Sequence, residues 1–313
     1  MAATAPPARR FLLVEVAGPW PRQAIIGSWP ERSRLDRRAA ARLVGLTGPH
    51  GVRLLAIRRY GDSGRGPDRA WGVADATPDR QAIRWGRWRE AADLLDVAAA
   101  WAEGRLTDGE PAAAGETLAL VCTHGGHDPC CAIRGRPVAA ALSASSPASS
   151  SATSSASSSA MSFGTGGVDV WECSHISGDR FAGNLLLLPE GLLFGGLDGP
   201  GAQLAVERHA AGRLLLDHYR GRFGQPRPAQ AAEYHARLAL GDDALGAVRV
   251  LSSVPAGPVD ADGSRAWRAV VEHRGRRHAV DLVQRWSEPA RMTCTSGPDR
   301  VDRYELVRLS PLD

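Results

Sequence analysis

Two short segments of the chain place cysteines and histidines close together, at spacings that suit metal binding. The first is CTHGGHDPCC over residues 122–131, and the second is WECSHISGDRFAGN over residues 171–184. Thiolate sulfur binds zinc and iron–sulfur clusters well, and imidazole nitrogen binds zinc and iron. Structural zinc sites favour ligand pairs about two to four residues apart, whereas Cys122 and Cys131 lie nine positions apart. The longer step favours a loop that wraps around a group larger than a single ion.

The five cysteines of the chain predict metal or redox chemistry rather than disulfide bonds. Their number is odd, and the first residues lack the apolar stretch of a secretory signal, so an oxidising compartment is not expected. We interpret Cys130 as a space-filling neighbour of Cys131, and Cys294 as inert. Cys173 is either a ligand or a small buried hydrophobic side chain.

Both segments follow predicted strands, and this position explains how they could meet. A compact apolar run at Thr117–Val121 precedes the first segment, and Val168–Trp171 begins the second. Loops that leave the same end of neighbouring strands can converge on one point, as metal and cofactor sites in α/β folds require. A helix is predicted over Ile133–Leu142, directly after the first loop. The sequence therefore predicts one site that both loops build.

The remaining sequence alternates strand and helix patterns, which predicts an α/β fold class. We predict an N-terminal α/β region over residues 10–108, a central domain over 115–222 and a C-terminal α+β extension over 223–313. Within the central domain, residues 143–162 contain only Ser, Ala, Thr, Pro and Met. Such a tract cannot bury enough apolar surface to offset its ordering entropy, so we predict a flexible surface insertion there.

Hydrophobic periods and turn residues predict the individual elements, and no internal repeat is evident. Helices are predicted over Glu31–Leu46, Leu204–Leu216 and Pro228–Leu240, and around Trp85, Trp88, Leu94, Leu95 and Trp101. A β-hairpin is predicted from Leu185–Leu188 to Leu192–Phe194. Four further strands are predicted over Ala247–Val254, Ala266–His273, His278–Trp286 and Tyr304–Leu309.

Composition and charge restrict the classes of function. Hydrophobic residues make up 43% and charged residues 23% of the 313 residues, which suffices for a globular core. The net charge is only +4, the chain has no lysine, and its arginines are interleaved with acidic residues, which disfavours a nucleic-acid surface. No apolar run approaches the ~20 residues needed to cross a bilayer. We expect a cytoplasmic protein without a nucleic-acid or membrane partner.

The two segments resemble the signatures of the sucrase/ferredoxin-like family. The family pattern has a cysteine, a spacer that ends in Asp-x-x-Cys, and later Ser-His-x-Gly-Gly-His-x-Phe-Ala. Here residues 128–131 supply Asp-x-x-Cys, residues 174–178 supply the serine–histidine block, and residues 180–182 supply its Arg-Phe-Ala tail. The resemblance is strong over residues 117–195. It implies a thioredoxin-like [2Fe-2S] ferredoxin core, flanked by the N-terminal α/β region and the C-terminal α+β extension.

The resemblance also implies a cluster held by two cysteines and two histidines. On the matching positions, the implied ligands are Cys122, Cys131 and His175. The sequence departs from the family pattern at the fourth position, because Asp179 stands where the family has its second histidine. Carboxylate oxygen is acceptable to ferric iron, and the loop already directs this position toward the metal. We therefore favour Asp179 as the fourth ligand.

Other side chains compete with the aspartate for the fourth position. Cys173 is chemically the better iron–sulfur ligand, although it would have to reach the metal from the end of a strand. A histidine of the first loop, His124 or His127, is a further candidate. We interpret these two histidines as ordinary polar loop residues.

A [2Fe-2S] site of this kind predicts an electron carrier or a redox sensor with a redox partner protein, rather than an enzyme. The cluster transfers one electron at a time, and imidazole ligands raise its potential. Two alternatives remain: a thiol–disulfide oxidoreductase, and a structural zinc module built from Cys122, Cys131, Cys173 and His175. A glycosidase needs two carboxylates across the scissile bond, and no such pair stands out.

Overall fold

The computed structural model of the protein describes residues 1–27, 35–61, 68–105, 108–145 and 167–312. Within them, the α-helices are α1 Arg37–Thr47, α2 Ala91–Ala102, α3 Pro129–Ser145, α4 Gly199–Ala210 and α5 Arg227–Leu240. The strands of the first large sheet are β1 Arg10–Glu15, β2 Val52–Arg58, β3 Arg69–Asp75, β4 Ala82–Trp88, β5 Glu110–Pro111, β6 Thr117–Cys122, β7 Val168–Cys173, β8 Leu185–Leu188, β9 Leu192–Phe194 and β10 Tyr219–Arg222. The remaining strands are β11 Val248–Val259, β12 Arg265–His273, β13 Arg276–Trp286, β14 Ala290–Arg291, β15 Pro298–Asp299 and β16 Asp302–Leu312. The predicted α/β class is confirmed.

The large mixed sheet contains the same topology twice. Its strand order is β10-β9-β8-β6-β7-β2-β1-β3-β4-β5. In the first copy, β1 and β2 are parallel and enclose α1, while β3 and β4 follow as antiparallel neighbours and lead to α2. In the second copy, β6, α3, β7, β8, β9 and α4 repeat this arrangement. The sequence shows no repeat, so the duplication is visible only in the backbone.

The two copies join through their equivalent strands, β2 and β7. These strands pair in antiparallel direction, with Ile57 opposite Cys173 and Arg58 opposite Glu172. The Arg58 Nε lies 2.6 Å from the Glu172 carboxylate across this junction. Ten strands therefore form one continuous sheet, in which the edge strand β7 of the second copy pairs with the edge strand β2 of the first.

The central strands are apolar along their whole length because helices and loops cover both faces of the sheet. All six residues of β6 and all four of β8 are buried. Leu118 and Leu120 point into one core cluster, while Ala119 and Val121 point into the other, as the period of two requires. The end of β6 is therefore rigidly embedded, and it is the position from which the first cysteine–histidine loop departs.

Residues after α5 build a separate four-stranded antiparallel sheet in the order β11-β12-β13-β16. Helix α5 packs on this sheet, with Ala231, Ala232 and Ala236 against Val271 and Val280. The predicted strands and the predicted helix of this region are confirmed, and the strands run longer than expected. The short β14–β15 hairpin extends from this sheet.

Two predicted elements need correction. Trp85 and Trp88 do not belong to a helix; they lie in β4, where Trp85 stacks on Trp171 with ring centroids 5.6 Å apart. Their spacing of three suits a helix face, but pairing of β4 with β3 decides the outcome. Helix α4 begins at Gly199 rather than Leu204, because the Asp198 carboxylate caps it by accepting the Gly201 N–H at 2.8 Å.

Two other predictions fall partly outside the described residues. The helix predicted over Glu31–Leu46 begins at Arg37, where the Asp36 carboxylate caps α1, and residues 31–34 are not described. Of the Ser/Ala-rich tract at 143–162, the first three residues end α3, and the rest lies outside the described residues. None of the helices in the described part of the chain is long and apolar enough to cross a membrane.

Substitution of a central core residue tests this architecture. Leu120 of β6 is fully buried, so Leu120→Ala should lower the free energy of unfolding by about 2–5 kcal/mol through lost burial and a residual cavity. Ile133→Ala, on the exposed side of α3 where Ile133 is 71% exposed, is the matched control and should change it by less than about 0.5 kcal/mol. Urea denaturation measures both, and equal losses would contradict the assigned core.

Candidate metal centre

The site lies where β6 and β7 end. These strands are parallel, and their last residues, Cys122 and Cys173, stand opposite each other in the register. The first loop, residues 123–128, leaves β6 and leads into α3. The second loop, residues 174–184, leaves β7 and includes a short 3-10 turn over Asp179–Phe181. The two predicted segments therefore converge at one edge of the sheet.

Three side chains bring their ligand atoms together at this edge. One sulfur or nitrogen atom from each of Cys122, Cys131 and His175 lies within 4.8 Å of the other two. Both thiols are buried, each about 1% exposed. Cys131 enters this group from the first turn of α3, whereas the adjacent Cys130 points elsewhere. The donor set is two soft sulfur atoms and one imidazole nitrogen, which suits iron–sulfur clusters and zinc.

Asp179 occupies the centre of a second, overlapping group with His127 and His175. One carboxylate oxygen lies 2.9 Å from His175 Nδ1 and 3.1 Å from the Cys131 sulfur. The other oxygen lies 3.5 Å from His127 Nε2. The two imidazole rings stack with centroids 3.8 Å apart. Nδ1 of His175 therefore faces the Asp179 carboxylate.

Cys173 stands apart from these groups. Among the described residues, it belongs to neither set of ligand atoms at the site. Its side chain is fully buried in the core beside Ile57, and burial raises the pKa of its thiol well above the ordinary value. Its carbonyl oxygen accepts the Thr123 N–H at 3.2 Å, which ties the first loop to the end of β7. Its contacts are those of a small core side chain.

His124 has both ring nitrogens engaged in positioning contacts. Nε2 lies 2.7 Å from the Pro21 carbonyl oxygen, and Nδ1 accepts the backbone N–H of His175 at 3.2 Å. This pair of contacts assigns the proton to Nε2. His124 therefore holds the second loop against the first and has no free nitrogen for a metal.

Two largely buried arginines support the second loop. Arg53 donates to the His175 carbonyl at 2.8 Å, and Arg220 donates to the Ser177 carbonyl at 2.8 Å and to the Asn184 side chain at 2.7 Å. Arg220 is only 1% exposed. Within the described residues, no carboxylate oxygen lies at ion-pair distance from either guanidinium. Both guanidinium groups therefore add buried positive charge beside the site.

No sequence signal identifies these arginines, because both lie far along the chain from the loop they hold. Gly178 shows how close the contact is. Its φ of +84° lies in the left-handed region, and a Cβ there would overlap the Arg220 guanidinium. Only glycine fits at this position of the loop.

The charged side chains of the site shift each other's pKa values. The hydrogen bond from Cys131 lowers the pKa of Cys122 well below its ordinary value, although burial alone would raise it. The same hydrogen bond raises the pKa of Cys131, as do burial and Asp179. Burial lowers the pKa of His175, but its hydrogen bonds to Asp179 and Cys122 outweigh burial and raise it to about 9. These shifts favour the charged forms of Cys122 and His175 beside the Asp179 carboxylate.

A disulfide bond joins Cys130 to Cys294, 164 residues further along the chain. This corrects three expectations: that disulfide bonds are disfavoured by the odd cysteine count, that Cys130 only fills space beside Cys131, and that Cys294 is inert. The buried Asp128 carboxylate holds the two cysteines next to each other, since it accepts the Cys130 N–H at 2.8 Å and the Cys294 N–H at 2.7 Å. Because the two cysteines are 164 residues apart, no local sequence pattern predicts that they pair. Cys122, Cys131 and Cys173 are free.

Comparison with known families agrees with the motifs. Residues 68–221 match the model of the sucrase/ferredoxin-like family. The matched region covers 154 residues, just under half of the 313, and contains both site loops. The match supports the resemblance that the motifs indicate. No curated protein and no solved structure matches the chain significantly.

The protonation of His175 is a direct test of the site geometry in the metal-free protein. Its pKa of about 9 exceeds the ordinary value of 6.5, so its contribution to stability is complete below pH 6.5 and is lost as the pH rises through 9. In an NMR titration, the His175 ring protons should shift near pH 9. Asp179→Asn should move this titration toward 6.5.

The matched control is Asp198→Asn, which changes the cap of α4 and leaves the site contacts intact. It should not move the His175 titration. A His175 signal that titrates near pH 6.5 in the unsubstituted protein would contradict the described contacts.

Proposed function

We propose that this protein binds a [2Fe-2S] cluster and acts as an electron carrier or redox sensor. The observation that carries the proposal is the convergence of Cys122, Cys131 and His175 within 4.8 Å at the ends of two parallel strands. Two buried thiols and an imidazole are the donors that such a cluster requires when histidine replaces some of its cysteines. The family match over both loops also supports it.

The topology is consistent with the thioredoxin-like part of the proposal. A thioredoxin-like domain would have a β-α-β unit followed by two antiparallel strands and a helix, and the order of elements in each copy agrees with this expectation. The proposed cluster site belongs to the second copy. The first copy contributes supporting contacts, through Arg53 and the Pro21 carbonyl.

The proposed ligands are Cys122 and Cys131 on one iron, and His175 and Asp179 on the other. Asp179 is favoured because its carboxylate lies next to both Cys131 and His175 and is itself buried. His127 is the nearest alternative, since its Nε2 lies 3.5 Å from the same carboxylate. Cys173 is not favoured, because it lies outside the group of ligand atoms among the described residues.

When bound, the cluster would supply one-electron redox chemistry. The surrounding residues would set its properties. Arg53 and Arg220 hold the second loop by its carbonyl groups and add buried positive charge, which stabilises the more negative, reduced state. The Asp179 carboxylate acts in the opposite direction. A redox partner protein would deliver or accept the electron.

One observation favours a second candidate function, thiol–disulfide exchange between Cys122 and Cys131. The Cys131 thiol hydrogen-bonds to Cys122 and lowers the pKa of its neighbour, which is the arrangement of an attacking and a resolving thiol. The alternative zinc module from Cys122, Cys131, Cys173 and His175 has less support, because Cys173 is outside the group. Metal content separates these functions.

Anaerobic purification followed by iron and sulfide analysis tests the cluster. The protein should be red-brown and contain about two iron and two sulfide atoms per chain, with an EPR signal after reduction. Cys131→Ser should lose most of the iron, because Cys131 is one of the grouped ligands. Cys130→Ser, the adjacent control, should keep most of it.

The opposite ranking of iron content in these two variants would contradict the ligand assignment. A colourless protein with about one zinc per chain would support the zinc module instead. A colourless, metal-free protein that reduces disulfides would support thiol–disulfide exchange.

The fourth ligand can be tested by parallel substitutions of its competitors. Asp179→Ala should lower the iron content more than His127→Ala, and Cys173→Ser should leave it nearly unchanged. Asp179→His should keep the cluster and raise its potential, by at least about 59 mV for a tenfold change in the one-electron equilibrium, since imidazole removes a negative charge. Iron analysis and voltammetry measure these effects.

Two results would overturn the assignment to Asp179. Loss of iron in His127→Ala, with Asp179→Ala unaffected, would make His127 the ligand. Loss of iron in Cys173→Ser would point to a site of three cysteines and one histidine.

A further inference from the structure

We propose that the Cys130–Cys294 bond is a second redox site, a two-electron thiol–disulfide couple that a dithiol reductant opens. Opening it would release residues 290–299, which we term the covering segment, from the two loops of the candidate metal centre. The inference does not depend on which metal the centre holds, because the bond lies outside both groups of ligand atoms there.

The covering segment contacts both site loops. On the first loop, the Cys294 N–H donates to the buried Asp128 carboxylate at 2.7 Å, three positions before Cys131. On the second loop, the Met292 carbonyl accepts the Arg180 N–H at 3.2 Å, one position after Asp179. The Met292 sulfur also lies 3.3 Å from the Arg180 guanidinium. The segment therefore spans the two loops that carry the ligands.

Few other interactions hold the covering segment in place. Its strands β14 and β15 pair over only two residues each, Ala290 with Asp299 and Arg291 with Pro298. Between them, the Ser296 hydroxyl accepts the Thr293 N–H at 3.1 Å, a contact within the segment itself. Most of its residues are exposed. A segment with so few buried contacts opens readily, so the covalent bond is the dominant constraint on it.

The exposure of the two sulfurs indicates how exchange would proceed. Cys294 is exposed and Cys130 is half-buried, whereas Cys122, Cys131 and Cys173 are buried. One thiolate of a dithiol would attack the Cys294 sulfur, form a mixed disulfide and release the Cys130 sulfur. The second thiol of the reductant would then displace Cys294. Two electrons and two protons pass to the protein, and the reductant becomes a disulfide.

The reduced form would differ from the oxidised form at the metal centre. A free Cys130 thiol would lie directly beside Cys131, and the backbone N–H of Arg180 would lose its acceptor on Met292. The loop that carries Asp179 would then be more accessible to solvent and to a partner. The state of this bond would thereby control access to the centre.

Alkylation and hydrogen exchange on the full chain test the proposal. Protein isolated without thiols, then denatured and alkylated, should yield a peptide pair linked through Cys130 and Cys294 and three alkylated cysteines. Treatment of the native protein with dithiothreitol should abolish the linked pair. It should also raise hydrogen exchange at residues 290–299 and at the Arg180 amide by at least about tenfold.

Two variants separate the bond from other effects of the reductant. Cys294→Ser should show the raised hydrogen exchange without dithiothreitol, and dithiothreitol should raise it no further. Because no reductant is needed in this variant, an effect of the reductant on the metal cannot explain the result. Ser296→Ala, the control within the same segment, should keep the bond and respond like the unsubstituted protein.

Two results would overturn the proposal. One is alkylation of both Cys130 and Cys294 in protein that has never met a reductant. The other is a Cys294→Ser variant whose exchange at residues 290–299 and Arg180 equals that of the oxidised protein. Both results concern only the disulfide bond. The iron content tests the proposed function separately.

Discussion

The parallel pairing of β6 and β7 is the constraint on which the rest of the site depends. It ends both strands at the same level, so the loops that follow Cys122 and Cys173 begin side by side. Helix α3 crosses between the strands and packs directly against the end of β6. A Cβ on Gly135 of α3 would overlap the Cys122 carbonyl oxygen, so this close approach requires glycine. Because α3 lies this close to the end of β6, Cys131 in its first turn lies next to Cys122, the last residue of that strand.

The charged side chains at this edge of the sheet influence which groups can bind there. The Asp179 carboxylate brings negative charge into a buried region, where Arg53, Arg220 and the protonated His175 oppose it, and the hydrogen bond from Cys131 lowers the pKa of the Cys122 thiol there. Charges in such a region interact strongly because little water screens them. A metal or cluster that replaces the protons on Cys131 and His175 would enter a site whose candidate ligands and counter-charges are already in place.

The duplicated topology gives the first half of the chain a role in the site of the second half. Arg53 comes from β2, the strand that joins the first copy to the second, and it holds the carbonyl of His175. The Pro21 carbonyl, after β1, engages His124 of the first loop. The C-terminal residues add a further link through Cys294. Segments that are distant along the chain thus position a small number of side chains.

The sequence by itself determined the α/β class, the strands that precede the two loops and the side chains able to bind metal. These depend on local features: apolar runs of strand length, the spacing of Cys122 and Cys131, and the position of His175 four residues before Asp179. The same local reasoning assigned Trp85 to a helix and was wrong, because pairing with β3 overrides a spacing that suits a helix face. Elements whose patterns agree with their tertiary contacts, such as the β8–β9 hairpin, were predicted correctly.

Only the tertiary structure decided which side chains of the two loops meet and what supports them. It placed Asp179 between His127 and His175, buried Cys173 away from the ligand atoms, and put two arginines behind the second loop. It also paired Cys130 with Cys294 across 164 residues. The physical reason is common to all of these. Contacts between distant residues depend on strand register and on the order of strands in the sheet, and neither quantity is encoded in the spacing of residues within one segment.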